Sequence, residues 1–178
     1  DYVVPVLDAN LAALLFVNFN VRTRARPMTA GKVVFQGQDI SSMHQRGGAC
    51  LGLARTFQHV KLRPHMSLID NVAMGAHARG SAGFIRSGLR MNAQEERQIM
   101  HEAQKQLDRI GLGERAYEMA GSLPLGTQRI LEIARALAAD PMLLVLDEPA
   151  AGLRRKEKMA LGDLLRKLRE EGVTILIV

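Results

Sequence analysis

Hydrophobic positions along this chain follow two rhythms. Asn92 is a capping residue with Glu95 behind it, and apolar residues then recur at Ile99, Ala103, Leu107 and Ile110 before Gly111. That spacing predicts one helix face, closed by a glycine. Ile130, Ile133, Ala134 and Leu137 repeat it, giving a helix that starts near Gly126 and stops at Asp140-Pro141. Leu161, Leu164, Leu165 and Leu168 mark another, ending at Gly172. Met142 to Leu146 and Val173 to Val178 are continuous apolar runs too short for helices, the pattern of strands buried on both faces. Strand, helix and strand then form a crossover unit with parallel strands, right-handed by the usual rule. Upstream, Lys32 to Gln36 followed by Gly37-Gln38-Asp39 predicts a short strand and turn, and Leu51 to Phe57 a second strand. Arg79 to Arg90, rich in glycine, serine and arginine, reads as an exposed loop between helical segments and a candidate insertion.

Composition narrows the class. The chain has 178 residues, enough for one core of ordinary domain size, with 47% hydrophobic and 24% charged residues, which excludes disorder and coiled coil. The longest apolar stretch, Leu11 to Val17, is far short of the roughly 20 residues a membrane helix needs. Asp1 to Val6 lacks a basic residue and contains Pro5, so no secretory signal is expected, and the single cysteine, Cys50, fits a reducing compartment. A net charge of +6 suits nucleic acid, anionic membrane or a phosphorylated ligand alike. With only 4% aromatic residues, stacking platforms for single strands are poorly supplied. Arg79, Arg86, Arg90 and Arg97 therefore read as a solvated basic loop, and no nucleic-acid partner is expected.

Three local features carry possible chemistry. In Leu143-Leu144-Val145-Leu146-Asp147-Glu148-Pro149, two acids follow an apolar strand. Ligands of open parallel sheets gather at the carboxyl ends of strands. There Asp147 could hold a magnesium ion and Glu148 could polarise an attacking water. The same acids could equally begin a helix, where the dipole favours them. Gly121-Ser122-Leu123-Pro124-Leu125-Gly126-Thr127-Gln128-Arg129 leads into a helix and reads either as an anion site or as an ordinary loop and cap. Arg55-Thr56-Phe57-Gln58-His59 ends a strand, and Gln58 offers an amide oxygen. His59, His65, His77 and His101 have no metal-ligand spacing, so no zinc site is proposed.

Taken in order, Gln58, a helical segment, Leu-Pro-Leu-Gly-Thr-Gln and Leu-Leu-Val-Leu-Asp-Glu-Pro resemble the ATPase subunits of ATP-binding-cassette transporters. The resemblance runs from about Thr29 to Val178. The branched-chain amino acid importer group is the nearest, on Arg55-Thr56-Phe57-Gln58-His59-Val60, Leu131-Glu132-Ile133-Ala134-Arg135-Ala136-Leu137 and Asp147-Glu148-Pro149-Ala150-Ala151-Gly152-Leu153. It implies an α/β fold: an incomplete P-loop NTPase core with a parallel sheet, an antiparallel β region and a helical subdomain. The expected division is 1–59 for the N-terminal part of the core, 60–123 for the helical subdomain, and 124–178 for the signature helix, Walker B strand and rest of the core. By the same resemblance Gln58 matches the Q-loop glutamine that contacts magnesium, and Gly126 a signature glycine that closes over ATP held by a second subunit. Asp147 matches the Walker B aspartate, Glu148 the catalytic glutamate, and Ala150 to Leu153 the D-loop. The implied cofactors are ATP and Mg2+, and the implied partners are transmembrane permease subunits and a second ATPase subunit. The implied location is cytoplasmic, peripheral on the inner face of the cell membrane.

The chain also departs from that family. A P-loop needs Gly-x-x-x-x-Gly-Lys-Ser/Thr, so that backbone N–H groups, the lysine and the hydroxyl hold phosphates and magnesium. No such run occurs; Gly31-Lys32 is followed by Val33, and the P-loop lysine would be expected near Leu14 to Phe16, an apolar segment without glycine. Pro124 stands where many signatures have serine, Arg154 takes the usual Asp or Asn position of the D-loop, and no histidine matches the switch histidine. Two functions follow as expectations: an importer ATPase, and a non-catalytic cassette that docks on a membrane partner.

Overall fold

The computed structural model describes residues 34–35, 38–39, 52–56, 61–77 and 93–178. Expectations that fall on 1–33, on Cys50, on Gln58 and His59, and on the basic stretch from Arg79 to Arg90 lie outside the described residues.

Strands β1 (Val34–Phe35) and β2 (Gln38–Asp39) pair antiparallel, Val34 opposite Asp39 and Phe35 opposite Gln38. Strands β3 (Leu53–Arg55), β4 (Leu143–Leu146) and β5 (Thr174–Ile177) form a parallel sheet in the order β3-β4-β5. Leu53 lies opposite Leu143, and Leu143 opposite Thr174. All four residues of β4 are buried, as its unbroken apolar run predicts for a central parallel strand. Helix α1 covers Leu68–His77, α2 Ala93–Arg109, α3 Leu125–Leu137 and α4 Arg155–Glu170. Short 3-10 turns at Gly113–Arg115 and Ala120–Ser122 lead from α2 towards α3.

Local chemistry explains where these helices begin and end. Ser67 Oγ accepts the Asp70 N–H at 3.1 Å and donates to Asp70 Oδ2 at 2.5 Å, so one hydroxyl satisfies an orphan amide at the start of α1. Pro124 holds extended backbone ahead of α3, where its missing N–H costs nothing, and its carbonyl accepts the Gln128 N–H at 2.9 Å. Beyond α3, Asp140 adopts a left-handed backbone (φ 48°) and its N–H donates to Leu137 O at 2.7 Å.

Two apolar clusters result. One gathers Leu68, Ile69, Val72, Leu107, Leu112, Leu123 and Leu131 among the helices. The other gathers Leu144, Leu146, Leu153, Leu161, Leu168 and Ile175 where α4 packs on the sheet. Helix α3 serves both: Leu131, Ala134 and Ala138 face the helical cluster, while Ile133 and Leu137 face the sheet cluster. A buried leucine contributes about 2 kcal/mol, so α3 is held from two sides.

Candidate functional site

The acids that follow β4 do not begin a helix, because α4 starts only at Arg155. They stand in the loop at the carboxyl end of the central strand. Asp147 is mostly buried, its side chain 14% exposed, and its Oδ2 accepts a hydrogen bond of 2.6 Å from Arg55 Nη2, whose side chain is 7% exposed. Arg55 reaches it because β3 lies beside β4 with Arg55 opposite Val145. Next along the chain, the Thr56 N–H donates to Val145 O at 3.0 Å. Glu148 is exposed and has a left-handed backbone, φ 43°. Its N–H donates to Val178 O at 2.9 Å and its carbonyl accepts the Ala151 N–H at 3.0 Å. A glutamate in that region of backbone space costs of order 1 kcal/mol or more and persists where the surrounding bonds enforce it, which is common at working sites.

Gly126 stands in the first turn of α3, next to the same loop. A β-carbon on Gly126 would come within 2.5 Å of Glu157 Oε1. Glu157 is fixed by its other oxygen, since Oε2 accepts the Arg154 N–H at 2.8 Å at the start of α4. Leu125 lies close to Gly152 of the loop, so Gly126, Gly152 and Glu157 bring the start of α3 against the segment that follows Glu148. A β-carbon at 126 would therefore force the Glu157 side chain to shift from its bond to Arg154. Arg154, unexpected at its place in the sequence, takes the N-cap position of α4 in extended backbone.

The structure thus brings Asp147, Glu148 and the start of α3 to one side of β4, and Gln58 lies outside the described residues. Two exposed or half-buried carboxylates are oxygen donors of the kind a hard cation takes. Among the described residues no cluster of three or more His, Cys, Asp and Glu side chains could hold a metal, and His65 and His101 are exposed. No helix of the described residues is long and apolar enough to cross a membrane.

Sequence reasoning missed a second polar group. On α3, Glu132 is buried (2% exposed) and its Oε1 accepts the Lys61 N–H at 2.8 Å. Arg135 Nη1 donates to Lys61 O at 2.7 Å, and Arg135 Nη2 approaches Glu132 Oε1 at 3.4 Å. Burial pushes the Glu132 carboxyl upwards, opposed by the bond from Lys61 and the charges of Arg135, Arg129 and Lys61. The three-residue spacing of Arg129, Glu132 and Arg135, all charged inside an amphipathic helix, was the available signal.

A three-stranded parallel sheet, helices that share α3, and paired acids at the end of the middle strand define a nucleotide-site type of α/β architecture. Comparison with known proteins makes the class specific. The ABC transporter family matches residues 18–151. LivG, the high-affinity branched-chain amino acid transport ATP-binding protein of Escherichia coli strain K12, is 37% identical over 90% of this chain and 64% of its own length. BraF, so described in Pseudomonas aeruginosa, is 36% identical over 99% of this chain and 70% of its own. A crystal structure of the ADP conformation of an ATP-binding cassette of an ABC transporter aligns with a TM-score of 0.74 at 26% identity, covering 93% of this chain and 65% of that one. The chain belongs to the ABC transporter family, with the P-loop NTPase type of fold. It spans 64% of the length of LivG.

Proposed function

We propose that this chain is the ATP-binding and ATP-hydrolysing subunit of an ABC importer for branched-chain amino acids or a related small solute. The observation that carries the reading is Glu148, an exposed carboxylate in left-handed backbone at the carboxyl end of buried β4, beside the ion-paired Asp147. The names of LivG and BraF support both the nucleotide and the solute class.

ATP and Mg2+ are the proposed cofactors. The two acids fit the magnesium- and water-facing side of such a site. The phosphate-facing side would need the Gly-rich run with lysine that this sequence lacks, so no phosphate-binding step is assigned to it. Mg2+, when bound, supplies charge that offsets what develops on the transferred phosphoryl group. Asp147 would hold the ion, with Gln58 as a further oxygen donor. Glu148 would take the proton of the attacking water on its carboxylate, a role worth roughly 10²–10⁴ in rate. Gly126 would close over ATP held by a second subunit, which makes a dimer the working unit. Docking on transmembrane permease subunits would keep the chain cytoplasmic and peripheral on the inner face of the membrane.

Calorimetric titration of Mg-ATP into the purified chain, with Glu148→Gln beside it to prevent turnover, tests this reading. Micromolar binding by both, with turnover lost in the variant, is the expected result. No binding at millimolar nucleotide would sink it for this chain. The missing P-loop run favours a second reading, a non-catalytic cassette that serves as a docking module. Solute uptake in cells separates the two, because a docking module is indifferent to Glu148→Gln.

A further inference from the structure

Helix α3 carries a polar row, Arg129, Glu132 and Arg135, at a spacing that keeps the three on one side of the helix. Leu131, Ala134 and Ala138 pack into the helical cluster and Ile133 and Leu137 into the sheet cluster, so the row runs along a seam between the two. The backbone of Lys61 is bound there at both of its polar groups: its N–H by Glu132 Oε1 (2.8 Å) and its carbonyl by Arg135 Nη1 (2.7 Å). The level of Arg135 is set from another side by α1, since a β-carbon on Gly75 would come within 1.9 Å of the Arg135 carbonyl oxygen. Upstream of Lys61 the chain is anchored to the sheet instead, through the Arg55–Asp147 ion pair and the Thr56 N–H bond to Val145 O. Thr56 is therefore bound to β4 and Lys61 to α3.

We propose that Glu132 and Arg135 are positioning residues that clamp the Lys61 backbone to α3, so that the chain entering the helical cluster at Lys61 and Leu62 moves as one body with the helix that starts beside Gly126. The two bonds have opposite sense and fall on the consecutive peptide groups either side of the Lys61 α-carbon, so they hold the residue at both ends, which a single bond does not. Glu132 Oε1 lies inside the protein and not in solvent, so its bond to an amide is not weakened by competing water. Oε2 of the same carboxylate is buried and accepts no hydrogen bond among the described residues. A buried carboxylate oxygen without a hydrogen bond is costly, and the bond that Oε1 makes to Lys61 is what that cost is set against. For catalysis, the clamp rests on the ATPase reading above: it would set the relation between the chain at Lys61 and the helix holding Gly126.

Residue-resolved hydrogen exchange on the purified chain tests the clamp without nucleotide. In the unaltered chain, the Lys61 amide should show the same protection as the amides of Leu131 and Ala134. Glu132→Ala should speed exchange at Lys61 about tenfold while leaving the amides of β4 and β5 unchanged, and Glu132→Gln, which keeps the acceptor, should restore protection. Arg135→Ala, at a position less buried than Glu132, should loosen Lys61 in the same sense even if Glu132→Ala fails to fold. Uniform acceleration across all helices would mean general destabilisation and overturn the proposal, as would Glu132→Gln behaving like Glu132→Ala. In ATPase assays on the chain assembled with its membrane partners, Glu132→Ala and Arg135→Ala should lower kcat about tenfold with KM for ATP unchanged. An altered KM with unchanged kcat would remove the catalytic consequence. Absent turnover in the unaltered protein, with the exchange pattern intact, would overturn the ATPase reading and leave the clamp standing.

Discussion

The helical cluster and the sheet cluster bury similar leucines, but their backbones are satisfied by different means. Around β4 the ladder itself pairs the peptide groups: each residue of the strand is buried and aligned with one of β5. Among the helices, the 64–69 stretch takes part of its bonds from the backbone of 116–121, as from Ala120 N–H to Met66 O and Gly121 N–H to Pro64 O, and side chains supply the rest. Asn71, fully buried, accepts the Arg63 N–H at 2.7 Å and donates to the carbonyls of Arg63, Met66 and Ser67. Glu132 and Arg135 do the same for Lys61. Irregular backbone that enters a core must find partners, and where backbone pairing is only partial, single polar side chains supply the remainder. The sheet region should therefore tolerate loss of any one polar side chain better than the helical region does.

The largest expected effects break the comparison at its apolar base. Leu144→Ala and Leu107→Ala, both at 0% exposure, should each cost about 3 kcal/mol in chemical denaturation. Hydrogen exchange should then report loosening centred on β4 and β5 for the first and on α1 and α2 for the second; identical patterns would show that the two clusters do not act separately. Gly75→Ala should cost about 2 kcal/mol, because the added methyl meets the Arg135 carbonyl and pushes α1 off α3. A neutral effect there would mean that α1 slides freely over α3. Asn71→Ala should cost a similar or slightly smaller amount, about 2 kcal/mol, by taking the acceptor from the Arg63 N–H and one donor each from the carbonyls of Arg63, Met66 and Ser67.

The smallest effect sharpens the contrast through pH. Burial raises the Glu132 carboxyl above its ordinary 4.5, against the opposing pull of the Lys61 N–H and of Arg135, Arg129 and Lys61. Burial lowers the Arg135 guanidinium from its ordinary value, the Glu132 charge opposes that shift and the Arg63 charge adds to it. A raised acid binds its proton more tightly folded than unfolded, so its contribution is complete below 4.5 and fades as pH rises through the raised value. Urea midpoints measured upward from pH 4.5 should fall more steeply in the unaltered chain than in Glu132→Gln. Parallel curves would mean that Glu132 titrates like a surface acid.

Regular elements were the most legible part of the sequence. The face formed by Ile99, Ala103, Leu107 and Ile110 predicts α2 to within a residue or two of Ala93–Arg109, and the apolar runs predict the parallel pair of β4 and β5, of which β4 is buried throughout and β5 only at Ile175. Helix α1 was harder, because Leu68–His77 is short, apolar on more than one side and interrupted by Gly75. Its clearest mark was Ser67 followed by Asp70, a capping pattern weak by itself. The acids after β4 could be read as a strand-end pair, yet whether they began a helix was open until α4 was seen to start at Arg155.

By itself, then, the sequence determined what periodicity, chain punctuation and motif order can encode: the element types, the parallel unit at β4 and β5, the family, and Asp147, Glu148 and Gly126 as residues to watch. Local rules reach a few positions along the chain, which is enough for turns, caps and faces. Only the tertiary structure decided that Arg55 pairs with Asp147 across 92 positions and that Glu132 holds Lys61 across 71. Spacing of that length carries no distance; strand register and helix packing bring such groups together, and burial then makes their bonds matter.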